Sequence, residues 1–155
     1  MAPPLKSLIL IRGLPGSGKT TLAQALIKFY GGNLLSWDKV TTSHFEADMF
    51  FYRSGTYQYD PKLLATAHSC CYEQARLSME QNTNVVIVSN TFVRLWELEP
   101  YTILAATFGY SVQEIVTHAS FQNVHGVTPA HIERMRKHFQ IRPSQYVLGG
   151  KGEAF

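Results

Sequence analysis

Lys19 and Thr20 close a run, Gly13-Leu14-Pro15-Gly16-Ser17-Gly18-Lys19-Thr20, that fits the pattern G-x-x-x-x-G-K-[ST]. The chemistry of such a run is phosphate binding. A glycine-rich turn directs several backbone N–H groups inward as a nest for anionic oxygens. The ammonium of Lys19 then stands against β- and γ-phosphates, and the Thr20 hydroxyl ligates Mg²⁺. Thr21 follows on the first turn of a helix whose positive dipole end faces the same phosphates. Gly13 to Thr21 are therefore the expected binding residues for ATP and Mg²⁺. A plain Gly/Pro turn has no need of Lys-Thr at its exit.

This Walker A loop needs a strand before it and a helix after it, and the flanking residues supply both. Ser7-Leu8-Ile9-Leu10-Ile11-Arg12 is a short apolar run suited to a buried strand. In Thr21 to Phe29 the residues Leu22, Ala25, Leu26 and Phe29 fall on one helical face. Further on, Thr41 to Ala47 reads as a second strand, and Met49 to Tyr59 is aromatic-rich with a Ser54-Gly55 turn. Asp60-Pro61 is a helix start, with Leu64, Ala67, Cys71 and Ala75 as the inner stripe of a helix running to Gln81. Val85-Val86-Ile87-Val88 is a β-branched run of the kind buried on both faces of a parallel sheet. A helix from Trp96 to Phe108 stops at Gly109, and Val112 to Val116 forms another strand. Thr128-Pro129 opens a last helix with Ile132, Met135 and Phe139 inward, and a short strand at Tyr146-Val147-Leu148 is expected in the tail. Strands alternating with helices predict an α/β, three-layer P-loop NTPase fold. Its parallel sheet has four to five strands, with helices on both faces and the ligand at the strands' C-terminal ends.

The 155 residues suit a single domain, 1–155, with a core over 7–139 and a tail over 140–155. Hydrophobic residues make up 45% of the chain, and no apolar run approaches a membrane span. The N-terminal residues lack the hydrophobic region of a secretory signal. Cys70 and Cys71 are adjacent, a poor geometry for a mutual disulfide, and the expected compartment is cytoplasmic. A net charge of +3 favours anionic partners only mildly, and a nucleotide satisfies it. The six histidines, His44, His68, His118, His125, His131 and His138, show no zinc-site spacing.

Beyond the phosphate loop, an ordered set of segments resembles the polynucleotide-kinase-like P-loop kinases. The similar branch is the small bacterial and phage kinase-like proteins often labelled AAA-type ATPase domains. The segments are Glu46-Ala47-Asp48-Met49-Phe50-Phe51, Gly55-Thr56-Tyr57-Gln58-Tyr59-Asp60-Pro61, Ala67-His68, Ser89-Asn90-Thr91-Phe92 with Trp96-Glu97 and Pro100-Tyr101, and Asn123-Val124-His125-Gly126-Val127 before Met135. The resemblance implies an ATP-dependent phosphotransferase (a kinase with an alcohol group as acceptor) that uses Mg²⁺. The acceptor would be a nucleic-acid 5′-hydroxyl, a nucleoside or nucleotide, or a small metabolite. Two other readings use the same loop: a non-catalytic NTP-binding switch module with a protein partner, and an NTP hydrolase.

A kinase needs a carboxylate beside the acceptor hydroxyl to orient it and take its proton. The resemblance implies that role for Asp48 after the second strand, and Asp48 is also expected to share Mg²⁺ with Thr20, with Glu46 the other acid open for the metal. Asp38 competes, because Leu34 to Asp38 also reads as strand then acid. Glu46 is a third acid, which strand alternation is expected to turn away from its neighbours. Ser89-Asn90 ends the third strand without an acid, where the similar kinases carry an aspartate. Asn90 is thus expected at the acceptor, or else as a cap at the strand–helix turn. The segment Ala119 to Thr128, where related enzymes carry a lid arginine, has neither Arg nor Lys. Arg136 is then the expected catalytic cation, with Arg134 and Arg94 as alternatives. The competing use of these charges is a solvated helix surface. Arg94 and His125 complete the expected substrate-binding set with Asp48 and Asn90. Tyr57, Tyr59 and their aromatic neighbours serve as base-stacking faces or as core and rim.

Overall fold

The computed structural model describes residues 4–31, 40–119, 126–142 and 147–148. The apolar run before the phosphate loop is strand β1 (Ser7–Arg12), and Lys19 opens helix α1 (Lys19–Gly31). Strand β2 (Thr42–Phe45) is shorter than the expected 41–47, because a 3-10 turn takes over at Ala47–Phe51. The aromatic segment then folds into an antiparallel hairpin of β3 (Tyr52–Arg53) and β4 (Thr56–Tyr57). Asp60 caps the next helix by accepting from Lys62 N at 2.9 Å, and a 3-10 turn (Pro61–Leu63) leads into α2 (Leu64–Glu80).

Strand β5 (Val85–Asn90) is buried at every position. The expected 96–108 helix divides into a 3-10 turn (Leu95–Leu98) and α3 (Glu99–Phe108). Strand β6 (Ser111–Thr117), helix α4 (Pro129–His138) and strand β7 (Val147–Leu148) follow. Five parallel strands line up in the order β2-β5-β1-β6-β7, so β7 supplies the short tail strand.

Period-two alternation splits the two central strands between the two faces. Ile9, Ile11, Val85 and Ile87 pack with Ala23, Leu22 and Leu26 of α1. Leu8, Leu10, Val86 and Val88 face Ala67, Cys71 and Ala75 of α2 and Leu104 and Ala105 of α3. Leu64 is the exception in the expected α2 stripe: it is 38% exposed and lines the cleft at the sheet's C-terminal edge. The free cysteines behave as small helix residues, with Cys71 enclosed in the core. Among the described residues no helix is long and apolar enough to cross a membrane.

Candidate active site

The phosphate loop leaves β1 at Gly13, whose position tolerates no side chain. A Cβ there would overlap Ser17 Oγ and Thr117 Oγ1. Those two hydroxyls lie 2.7 Å apart, and Thr117 also donates to Arg12 O at 3.2 Å, so the end of β6 buttresses the loop from below. Gly18 turns the chain into α1 with a φ of +94°, which only glycine adopts without strain. Lys19 folds back over the loop and donates to Gly13 O at 2.9 Å and Leu14 O at 3.0 Å. Burial pushes its ammonium down to about 8, against the opposing pull of the Glu46 and Asp48 carboxylates.

Register decides what stands beside Thr20. Phe45 pairs with Val88, so Glu46 falls opposite Ser89, and both point to the α1 face with His44 and Ile87. Alternation therefore brings Glu46 into the site, a correction to the expectation that it turns the side chain away. Glu46 Oε1 accepts from Thr20 Oγ1 at 2.6 Å and from Ser89 Oγ at 2.9 Å, with His44 Nε2 at 3.3 Å. Burial alone would raise this carboxyl, but the hydrogen bonds from His44, Thr20 and Ser89 outweigh it and hold the group down at about 2. Of the two acids expected for the metal with Thr20, Asp48 first and Glu46 as the alternative, it is Glu46 that bonds directly to Thr20.

Asn90 points to the opposite face. Its Oδ1 accepts from Ala47 N at 2.9 Å, and its Nδ2 donates to Cys71 Sγ at 3.6 Å. Both ends of the amide are thus used inside the protein, clamping the turn that carries Glu46 and Asp48. Asp48 lies past this clamp and accepts from Tyr57 Oη at 3.0 Å. Burial, then the Asp48 charge, raises the Tyr57 hydroxyl, which stays a donor. The Tyr57 and Tyr59 rings run nearly parallel, 11° apart in plane and 6.5 Å between centroids.

Phosphate loop, Glu46, Asp48, Tyr57, Tyr59, Leu64 and His68 surround one cleft of about 730 Å³, large enough for a nucleotide and a second small group. The other wall is α4, capped by Thr128 Oγ1 accepting from His131 N at 3.3 Å. Arg134 lines this wall beside His131, whose Nδ1 lies 3.3 Å from Arg134 Nη2. Arg136 is placed elsewhere: it is 45% exposed and pairs with Glu133 at 3.4 Å. Arg94 also turns from the cleft, with Nη2 3.0 Å from His138 Nδ1. Helical period explains the exchange, since Arg134 and Arg136 lie about 200° apart around α4. His125 and Asp38 fall outside the described residues. Among the described residues no three His, Cys, Asp or Glu side chains form a metal cluster.

Three features escaped the sequence reading: the Glu46–Thr20 contact, the Thr117 buttress and the Tyr57–Asp48 hydrogen bond. The first was recoverable from a correct β2–β5 register; the others join segments that no short motif relates.

A phosphate loop between the first strand and first helix of a parallel sheet with helices on both faces is the fold of the polynucleotide-kinase-like P-loop kinases. Residues 8–125 match the AAA domain family, and the chain belongs to that family. It is 34% identical over 142 residues to human NEDD4-binding protein 2, an alignment covering 86% of this chain and 8% of that protein. The chain thus spans a small part of that relative's length. Among solved structures, Kti12 of Chaetomium thermophilum in complex with ADP-AlF3 superposes with a TM-score of 0.66 at 12% identity, covering 91% of this chain and 88% of the other. A candidate kinase from Chloroflexus aurantiacus gives 0.63 at 20% identity, covering 95% and 86%. At these identities the structures show the shared fold.

Proposed function

We propose that the chain is an ATP-dependent phosphotransferase that moves the γ-phosphoryl group to an acceptor hydroxyl. The observation that carries this reading is the division of labour between two carboxylates two residues apart. Glu46 bonds to Thr20 beside the phosphate loop, whereas Asp48 in the same cleft bonds not to the loop but to Tyr57. A protein that only sensed nucleotide would need the first acid and not the second.

Thr20 and Glu46 are hard oxygen donors beside the phosphate loop, a set that suits Mg²⁺ with its usual complement of waters and phosphate oxygens. Bound there, Mg²⁺ neutralises charge on the β- and γ-phosphates. Lys19 exchanges its two carbonyl partners for phosphate oxygens, and Arg134 faces the same charge from α4. Asp48, held through one oxygen by Tyr57, orients the acceptor hydroxyl and takes its proton as the new O–P bond forms in line with the breaking one. The Tyr57 and Tyr59 rings beside Asp48 support an acceptor with a planar face, a nucleoside or a nucleic-acid 5′ end, over an open-chain metabolite.

The test is an acceptor screen with γ-labelled ATP across oligonucleotides, nucleosides and sugars. Transfer to one class is expected, and Asp48→Asn should lower it by about 10²–10⁴-fold while ATP binding persists. Binding without transfer to any acceptor would establish the switch-module reading instead. Phosphate release to water alone would establish the hydrolase reading.

A further inference from the structure

Arg12 lies outside the phosphate-loop motif, yet among the described residues it is the largest fully enclosed side chain, at 0% exposure. A buried cation is tolerated only where its N–H groups are used. Here Nε and Nη2 donate to Phe92 O at 3.0 and 2.8 Å, Nη2 also to Gln140 O at 2.6 Å, and Nη1 to Glu114 Oε1 at 2.9 Å. The Phe139 ring covers the guanidinium carbon at 4.7 Å. These partners come from three separate segments: the turn after β5, strand β6, and the residues that follow α4. The turn is itself constrained, with Phe92 at a φ of +44°.

The contacts fasten the C-terminal end of α4. Gln140 N donates to Val93 O at 2.9 Å, Leu95 N donates to Gln140 Oε1 at 2.8 Å, and Arg142 shares Glu114 at 2.8 Å. The helix has no buried residue of its own. Ile132 and Met135 rest partly buried on Leu14 of the phosphate loop, Val116 and Phe139. One side of the helix carries His131, Arg134 and Met135 along the cleft.

We propose that Arg12 is a positioning residue that ties the root of the phosphate loop to the C-terminal end of α4 and so sets where Arg134 stands over the nucleotide. Arg12 immediately precedes Gly13, so a single residue belongs both to the strand that launches the loop and to the anchor of the opposing helix. The planar fork of a guanidinium engages two carbonyls and a carboxylate at once, which a lysine ammonium in the same place does not match. The inference rests on the reading of Arg134 as the cation for the transferring phosphoryl group.

The test uses ADP and ADP with aluminium fluoride, each with Mg²⁺, as ground-state and transition-state probes that need no identified acceptor. Wild type should bind the fluoride complex more tightly than ADP alone. Arg134→Ala should lower that preference about 10²-fold and Arg12→Lys about tenfold, with ADP affinity within about threefold of wild type. The double variant should be no weaker than Arg134→Ala alone, because both changes act through one guanidinium. Multiplying effects, or an equal loss of both probes in Arg12→Lys, would overturn the positioning role and leave the phosphotransferase reading intact. No preference in wild type would instead sink the phosphotransferase reading. If thermal denaturation shows that Arg12→Lys does not fold, Glu114→Gln replaces the carboxylate that Arg12 Nη1 meets at 2.9 Å by a neutral amide. It should lower the preference about threefold with the same non-additivity, and additivity there overturns the proposal equally.

Discussion

Thr20 Oγ1 donates to Glu46 Oε1 at 2.6 Å, joining residues 26 positions apart in the chain at the mouth of the phosphate loop. Ser89 and His44 complete the shell around the same oxygen. The carboxylate is thereby fixed before any nucleotide arrives, which removes one ordering cost from binding.

Glu46→Gln keeps an acceptor for Thr20 and removes the charge. Under the proposed metal site, ATP affinity in the presence of Mg²⁺ falls about tenfold, while Mg²⁺-free affinity changes little; titration calorimetry with and without the ion separates the two. The same charge sets an acid response of the empty protein. The folded state holds Glu46 at about 2 against an ordinary 4.5, so it binds fewer protons than the unfolded chain between these values. Its stabilising contribution is complete above about pH 4.5 and is lost as pH falls toward about 2. Denaturant midpoints of wild type and Glu46→Gln should converge across that window.

Gly13→Ala forces a Cβ into Ser17 Oγ and Thr117 Oγ1 and should abolish nucleotide binding through displacement of the loop. Thr117→Val removes the hydroxyl that meets Ser17 at 2.7 Å but keeps the shape. It should weaken ADP binding several-fold, on the order of 1 kcal/mol, measured by calorimetry. An unchanged affinity would mean that β6 does not buttress the loop.

Asn90→Ala leaves the Ala47 N–H buried without its acceptor, at a cost of about 1–3 kcal/mol. For a chain of this length that lowers Tm by about 2–12 °C in scanning calorimetry. The turn it releases carries both acids, so transfer should fall further than stability accounts for at a temperature where the variant is folded.

Among Arg94, Arg134 and Arg136, the arginines offered as the catalytic cation, Arg134 alone should matter for transfer. Arg134→Ala should lower kcat by about 10²-fold or more. Arg136→Ala, which breaks only an exposed pair with Glu133, should change stability by less than about 0.5 kcal/mol and leave kcat near wild type. Equal losses for the two would contradict the placement of α4.

Short-range signals made much of this protein legible from its sequence. The Gly13–Thr20 motif, the apolar runs of β1 and β5, and the caps at Asp60 and Thr128 are local, each depending on residues a few positions apart. From them follow the order of elements, the parallel sheet and the phosphate loop at its edge. The tertiary structure decided which acid meets Thr20, because that depends on β2 ending at Phe45 and pairing with Val88. It also decided which arginine of α4 faces the cleft, since that depends on the helix resting Ile132 and Met135 on Leu14, Val116 and Phe139. Contacts such as Arg12 with Gln140 span most of the chain. Their geometry exists only once separate segments have packed, and no local pattern of residue types carries it.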